Sequence, residues 1–151
     1  MSEHHATLRW ARTSADFTYN TYNRAHDVSF KNGAVVVPSS AAVAFKGDAD
    51  RVDPEDAYVG SLASCHMLTF LAICARKRIA VDAYDDAAVG IMEKGPDGKF
   101  WVSRVVLRPR VRFAPDVSVD KATLDDIHHH AHADCFIANS VKTEVLVEPQ
   151  Y

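Results

Sequence analysis

The sequence has little of what marks several classes of protein. Only three of its 151 residues are cysteine, and no two of them have the C-x-x-C spacing of a zinc ribbon or a thioredoxin site. The apolar stretches are interrupted by Lys, Arg, Asp or His before the roughly 18 to 20 residues that a membrane span needs. The first residues do not combine a basic segment with an apolar one, as a secretory signal does. We therefore expect a cytoplasmic protein with no membrane partner.

Positive charge is not in excess either. The chain has 17 Lys and Arg residues against 20 Asp and Glu residues, a formal net charge of -3, which argues against a nucleic-acid partner. Four arginines alternate with apolar residues as on the solvated face of a strand; they are Arg104, Arg108, Arg110 and Arg112. With 48% apolar and 25% charged residues, the composition is that of a soluble globular protein. The length predicts a single domain over residues 1–151.

The order of the predicted elements indicates an α+β fold. The segment at 53–56 supplies an N-cap aspartate, a proline and two acidic residues, which is typical of a helix N-terminus. The residues after it lack proline and have apolar side chains at helical spacing, so we expect a long, largely buried central helix. Asn32-Gly33 predicts a tight turn between two strands. The predicted elements are strands at 6–12, 22–30 and 34–38, a helix at 57–78, a hairpin of strands at 84–93 and 100–113, a helix at 119–133 and a strand at 141–147.

Two of the three cysteines cannot be partners. Cys65 and Cys74 are nine residues apart on the predicted central helix, which places them about 13 Å apart along its axis and on opposite sides. They cannot form a disulfide within one helix. Cys74 lies between Ile73 and Ala75 and is expected to be a small buried apolar residue. Cys135 is then the one remaining cysteine that the fold could bring to Cys65.

Arg24 is a candidate buried cation. On the predicted strand at 22–30 it has the same parity as Val28 and Phe30, so it points inward if those two residues face the core. A buried guanidinium needs a carboxylate or other hydrogen-bond acceptors. Two interpretations stay open at this point. In the first, Arg24 forms a structural ion pair or is turned outward by a bend in the strand. In the second, Arg24 is a cation placed beside a thiolate.

The histidine-rich run before Cys135 offers a possible metal centre. On a helix, His128, His132 and Cys135 fall within about 60° of one another, whereas the other two histidines of the run point away. A His-x-x-x-His-x-x-Cys face has the spacing of zinc ligands, and Cys65 with His66 could complete such a site.

Four short motifs occur in order along the chain. They are Tyr22-Asn23-Arg24-Ala25-His26, Asp53-Pro54-Glu55, Ser61-Leu62-Ala63-Ser64-Cys65 and Ala131-His132-Ala133-Asp134-Cys135. In this order and spacing they resemble the OsmC/Ohr family of thiol-dependent hydroperoxide reductases, over about residues 22 to 147. The family pattern has a Pro-Glu at the start of the central helix, a peroxidatic cysteine ten residues after that Glu, and a resolving cysteine in a later helix.

The resemblance implies a cysteine-based peroxidase. The Cys65 thiolate, stabilised by Arg24 with Glu55 orienting the guanidinium, would reduce an organic hydroperoxide to an alcohol and become a sulfenic acid. Cys135 would then form a disulfide with Cys65, which an external dithiol of the lipoyl or thioredoxin type would reduce. No metal, haem or flavin cofactor is implied.

Two positions depart from the family pattern. Phe136 follows Cys135 where the family commonly has proline, and His66 follows Cys65 where a bulky apolar residue is frequent. These departures resemble a less studied OsmC-like branch.

The resemblance also implies an intertwined homodimer with its sites at the subunit interface. Glu55 and Cys65 are about 15 Å apart along one helix and about 80° out of phase, so a straight helix cannot bring both to one arginine. Either the helix bends or Glu55 comes from a second subunit. Two other functions stay open: a metal-binding protein that uses the Cys/His set, and a non-catalytic, stress-associated ligand-binding dimer.

Overall fold

The computed structural model describes residues 1–151 and confirms the α+β fold class. Its elements are β1 (Ala6–Arg9), β2 (His26–Phe30), β3 (Val35–Ser39), α1 (Pro54–Arg76), β4 (Val81–Asp86), β5 (Val89–Lys94), β6 (Phe100–Leu107), β7 (Pro109–Phe113), α2 (Lys121–Ala133) and β8 (Glu144–Val147). The chain divides into two compact units, unit 1 (Met1–Ala57) and unit 2 (Tyr58–Tyr151), which are described separately.

Unit 1 contains an antiparallel sheet in the order β1-β2-β3. The predicted Asn-Gly turn joins β2 to β3: Asn32 and Gly33 have φ values of 55° and 90°, a region that asparagine and glycine adopt at low cost. Apolar side chains of this sheet are exposed, among them Leu8, Val35 and Val36. The sheet therefore has apolar surface that unit 1 itself does not cover.

The start and end of α1 follow from local chemistry. The N–H of Asp56 donates to Oδ1 of Asp53 at 2.8 Å, which is the predicted N-cap, and acidic residues occupy the first turn. The helix ends at Arg76, two residues before the predicted end, because Arg78 has a left-handed φ of 61°.

One stripe of α1 is buried, and the opposite stripe is exposed. The buried residues are Leu62, His66, Phe70, Ile73 and Cys74. By length and composition alone α1 is able to cross a membrane, a test that core helices of soluble proteins also pass. His66, where the family often has a bulky apolar residue, belongs to the buried stripe.

The predicted hairpin of unit 2 is bent into two pairs of strands. β5 pairs with β6 across the turn at Gly95–Lys99, and β4 pairs with β7 in a separate two-stranded sheet. The two long strands expected at 84–93 and 100–113 are thus each divided. At the bend, Asp86 Oδ1 accepts the N–H of Arg108 at 2.7 Å, and this hydrogen bond replaces a strand-to-strand one.

The last strand completes the sheet next to β6. β8 pairs with β6 in parallel, giving the order β5-β6-β8. A parallel partner requires a crossover connection, and α2 lies in that connection. Asp120 begins α2 as its N-cap, because its Oδ1 accepts the N–H of Thr123 at 2.7 Å.

Two apolar clusters form the core of unit 2. In the first, Phe70, Ile73 and Cys74 of α1 pack against Leu124 and Ile127 of α2. In the second, Leu62 of α1 packs against β6. The two clusters hold α1 between the second helix and the sheet, which fixes the direction in which Cys65 points.

Candidate functional site

Cys65 lies on the exposed side of α1, in a groove of about 860 Å³ within unit 2. The helix contributes Cys65, Leu68 and Ala72 to the groove floor, and Arg76 lies at its far end. The opposite wall begins at the end of α2 and continues through Phe136 and its neighbours. A sulfur atom beside an apolar wall is accessible to an organic molecule, whereas a fully buried thiol is not.

Cys135 is brought to Cys65 by the turn that follows α2. The N–H of Ile137 donates to Sγ of Cys65 at 3.5 Å, and the N–H of the next residue, Ala138, donates to Sγ of Cys135 at 3.4 Å. Cys65 also contributes to the raised pKa of the Cys135 thiol, which requires the two side chains to be neighbours. Two cysteines that are 70 residues apart in sequence therefore meet at one turn.

The environment of Cys135 keeps its thiol protonated. Burial, and then the hydrogen bond with Cys65, raise the pKa of the Cys135 thiol to about 11, while the N–H groups of Ala138 and Ile137 act in the opposite direction. Both cysteines are free thiols in this structure. A protonated, buried thiol next to a partly exposed one matches the roles of a resolving and an attacking sulfur.

Cys74 is a core residue, as the helical spacing predicts. It packs with Phe70 and Ile73 on the buried side of α1 and has almost no exposed surface. Burial raises the pKa of its thiol to about 11. The positive charge of Lys77 lowers this pKa, but the effect of burial is larger, so the thiol stays protonated.

Arg24 is buried, but not for the predicted reason. β2 begins at His26, so Arg24 lies in the preceding loop and its strand parity with Val28 and Phe30 does not exist. The guanidinium donates to the carbonyl oxygens of Tyr22 (3.0 Å) and Tyr19 (2.7 Å). Its carbon lies 4.0 Å from the centre of the Tyr22 ring, which adds a cation–π contact.

Within unit 1, Arg24 lies on a cavity of about 380 Å³ with aromatic walls. Trp10, Phe17 and Tyr22 line it together with Arg24 and His26. Arg24 has no ion pair, so its buried charge is balanced only by carbonyl groups and ring faces. Glu55, the predicted partner, is in the first turn of α1 and is not hydrogen-bonded to Arg24. The roles of Arg24 and Glu55 stay predictions.

The histidine-rich face of α2 holds a buried pair instead of a metal centre. His128 stacks on His66, and His66 Nε2 lies 3.1 Å from His128 Nδ1, so one ring donates a hydrogen bond to the other. Burial lowers the pKa of His66 to about 3 and that of His128 to about 4, so both rings are neutral.

The four alternative metal ligands are not gathered into one site. No group of three or more His, Cys, Asp or Glu side chains in the chain is placed to hold a metal ion, and this includes Cys65, His128, His132 and Cys135. The helical spacing put the right residues on one face, but His128 is turned towards His66 and the core.

Sequence reasoning missed two features of this site. The N–H groups of Ile137 and Ala138 are backbone groups, so their side chains give no signal of a sulfur contact. The pairing of His66 with His128 joins residues that are 62 positions apart and comes from the packing of α1 against α2. The sequence analysis brought His66 to the His128 face only as a possible member of a zinc site, not as a neutral hydrogen-bonded partner.

Known proteins are similar to the chain in sequence and in fold. A family model described as OsmC-like protein matches residues 47–150. An OsmC-like protein of unknown function from Vibrio cholerae is 46% identical to the chain, over 99% of this chain and 100% of that one, with a TM-score of 0.92.

Two more distant proteins share the fold. They are an organic hydroperoxide resistance protein from Elizabethkingia anophelis (16% identity, 99% of this chain and 94% of that one, TM-score 0.74) and the organic hydroperoxide resistance protein OhrB of Bacillus subtilis (16% identity, 99% and 98%, TM-score 0.71). A comparison with curated proteins found none that matches. On the match to the family model and the identity to the Vibrio cholerae protein, the chain belongs to the OsmC-like protein family.

Proposed function

We propose that the protein is a thiol-dependent peroxidase that reduces organic hydroperoxides to alcohols. The observation that carries the proposal is the meeting of the Cys65 and Cys135 thiols at one turn, with Cys65 open to an apolar groove. Membership of the OsmC-like family and the shared fold with organic hydroperoxide resistance proteins support the same activity.

The reaction proceeds in three steps that the two thiols can carry. The Cys65 thiolate attacks one oxygen of the peroxide, the O–O bond breaks, and the departing alkoxide takes a proton and leaves as the alcohol. Cys65 keeps the other oxygen as a sulfenic acid. The Cys135 thiol condenses with it, which forms the disulfide and releases water. An external dithiol of the lipoyl or thioredoxin type supplies two electrons and two protons to restore both thiols.

Arg24 and Glu55 complete the proposed site. A permanent cation favours the thiolate form of a cysteine, and the guanidinium of Arg24 is buried without a carboxylate partner in unit 1. Glu55 would orient that guanidinium. The family resemblance supports both roles, and also the homodimer in which one subunit contributes to the site of the other.

Mass spectrometry of the cysteine peptides tests the proposal. After one equivalent of cumene hydroperoxide, the wild-type protein is expected to lose two hydrogen atoms as Cys65 and Cys135 join. Cys135→Ser is expected to gain one oxygen atom on Cys65 instead, and Cys65→Ser to show no change. Cys74→Ala is the matched control, because it replaces a core thiol by a small apolar side chain, and it should behave as the wild type.

Each alternative predicts a different result. If Cys74→Ala abolished peroxide reduction while the protein stayed folded, this would contradict the assignment of Cys65 as the attacking cysteine. Unreacted cysteines in the presence of excess hydroperoxide and dithiol would favour a non-catalytic ligand-binding protein. Stoichiometric metal in protein that was purified without a histidine tag would favour the Cys/His metal-binding protein.

A further inference from the structure

The turn at 135–140 presents two consecutive backbone N–H groups to two sulfur atoms. The N–H of Ile137 points to Sγ of Cys65 at 3.5 Å, and the N–H of Ala138 points to Sγ of Cys135 at 3.4 Å. These distances are those of hydrogen bonds to sulfur, which is larger than oxygen. Hydrogen bonds of this kind become stronger when the acceptor is an anion.

Side chains of the same turn fix the direction of these N–H groups. Asn139 Nδ2 donates to the carbonyl of Ala133 at 2.8 Å, and Ser140 Oγ donates to the carbonyl of Phe136 at 2.7 Å. The N–H of Asn139 also closes the turn on the carbonyl of Cys135 at 3.0 Å. The turn is therefore tied to the end of α2 and to itself on both sides of the two donors.

We propose that the N–H groups of Ile137 and Ala138 act as a donor pair that stabilises negative charge on the two sulfurs, and that Asn139 and Ser140 are positioning residues for this pair. The inference deepens the proposed function and rests on it for its meaning in catalysis. Cys65 is in the middle of α1, where the dipole of the helix N-terminus no longer helps a thiolate. The turn supplies, from outside the helix, the donor that the helix cannot supply.

The second donor has a role after the first step. When Cys135 condenses with the sulfenic acid of Cys65, its own thiol must give up a proton, and burial opposes that loss. The N–H of Ala138 is already directed at this sulfur and acts against the effect of burial. One turn thus serves the attacking sulfur and the resolving sulfur with adjacent donors.

Ile137→Pro removes the first donor, which is directed at Cys65 and also lowers the pKa of the Cys135 thiol. Ile137 has a φ of -70°, which is within the range that proline fixes, and its side chain is partly exposed. Ile137→Ala is the matched control, because it loses the side chain but keeps the N–H. The rate of iodoacetamide alkylation is measured for each cysteine peptide by mass spectrometry as a function of pH. The midpoint for Cys65 is expected to be higher in the proline variant than in the alanine variant by about one pH unit, or about tenfold in rate at neutral pH.

Ser140 gives a second test if the proline variant does not fold. Ser140→Ala removes the hydrogen bond to the Phe136 carbonyl and should raise the Cys65 midpoint, whereas Ser140→Thr keeps a hydroxyl and should restore it. The matched control is Ser61→Ala, which removes a hydroxyl-to-carbonyl hydrogen bond of the same 2.7 Å length from α1, beside the groove but away from the turn. This control should leave the Cys65 midpoint unchanged.

Two outcomes would overturn the inference. One is an equal Cys65 midpoint in the proline and alanine variants of Ile137. The other is an equal rise for Cys65 and Cys74 in Ser140→Ala, since Cys74 does not touch the turn and can respond only to general loosening. The alkylation experiment contains no peroxide. The shift in the Cys65 midpoint can therefore be measured even if the protein has no peroxidase activity. Failure of the proposed function and failure of the donor pair are therefore distinguishable.

Discussion

The guanidinium of Arg24 is a buried charge whose only acceptors in unit 1 are two carbonyl groups. If it stabilises the Cys65 thiolate, Arg24→Met should raise the pH midpoint of Cys65 alkylation, because methionine keeps much of the apolar stem without the charge. At neutral pH the variant should slow peroxide reduction by the same factor as it slows alkylation. Glu55→Gln should have a smaller effect, since the cation remains. The double variant should resemble Arg24→Met alone, because Glu55 acts only through Arg24. Additive effects of the two changes would remove the link between them.

The buried pair of His66 and His128 predicts a loss of stability in acid. Unfolded histidines take up protons below about pH 6.5, whereas the folded pair, with pKa values of about 3 and 4, stays neutral. The unfolded chain binds more protons than the folded chain in this window. The contribution of the pair to the free energy of unfolding is therefore complete above about pH 6.5 and decreases as the pH falls towards 4. His128→Phe should flatten this fall, measured as the urea midpoint against pH, and should also lower stability at neutral pH, because His66 Nε2 loses its partner. His129→Gln, at an exposed position of the same helix, is the control and should keep the wild-type slope.

At the scale of single residues, the sequence predicted the burial of both Cys74 and Arg24, but it predicted the cause of that burial only for Cys74. The burial of Cys74 follows from helix periodicity, which needs only neighbours along the chain. The burial of Arg24 was predicted from a strand that does not extend to it, and it results from a loop that wraps the guanidinium in its own carbonyl groups. The direction of His128 depends on α1, which no pattern within α2 records.

At the scale of elements, the N-cap of α1 is the feature that sequence and structure share most closely. Asp53 accepts the N–H of Asp56, and Asp53→Ala should lower the free energy of unfolding by about 1 kcal/mol, because a helix N-terminal donor loses its acceptor. Asp53→Asn should recover most of this loss. Asp50→Ala, three residues earlier and exposed, is the control and should have little effect in a urea titration.

Helices and turns could be predicted to within a few residues, whereas the pairing of strands could not. An N-cap, an Asn-Gly turn and an apolar period are local signals. The bend at Asp86 and Arg108 divides the predicted hairpin into two sheets. On each side of the hairpin, however, the alternation of apolar and polar residues is still that of one long strand. The parallel partner of β6 is set by a crossover of more than thirty residues. Alternation shows that a segment is a strand, but not which strand is its neighbour.

At the scale of the whole molecule, exposed apolar side chains support the proposed homodimer. In unit 1 the sheet exposes Leu8, Val35 and Val36, and in unit 2 Leu68 of α1 is 60% exposed and Phe136 is 83% exposed. Large apolar side chains that are exposed in a single chain are often covered at subunit interfaces. Sedimentation equilibrium is expected to give a dimer at micromolar concentration, and Leu68→Asp or Val36→Asp to weaken it. A folded, stable monomer of the wild-type chain at that concentration would remove the dimer from the proposal.

The position of the 135–140 turn within the crossover to β8 also sets an order of events during synthesis. Cys65 is made 70 residues before Cys135, which at roughly 5 to 20 residues per second is an interval of seconds. During that time the growing chain has the proposed attacking thiol but neither the turn nor the proposed resolving cysteine. Under the proposed mechanism, a nascent chain that is oxidised at Cys65 in this interval has no internal route back from the sulfenic acid. Translation speed between these two codons would then bear on how much of the newly made protein is still able to react.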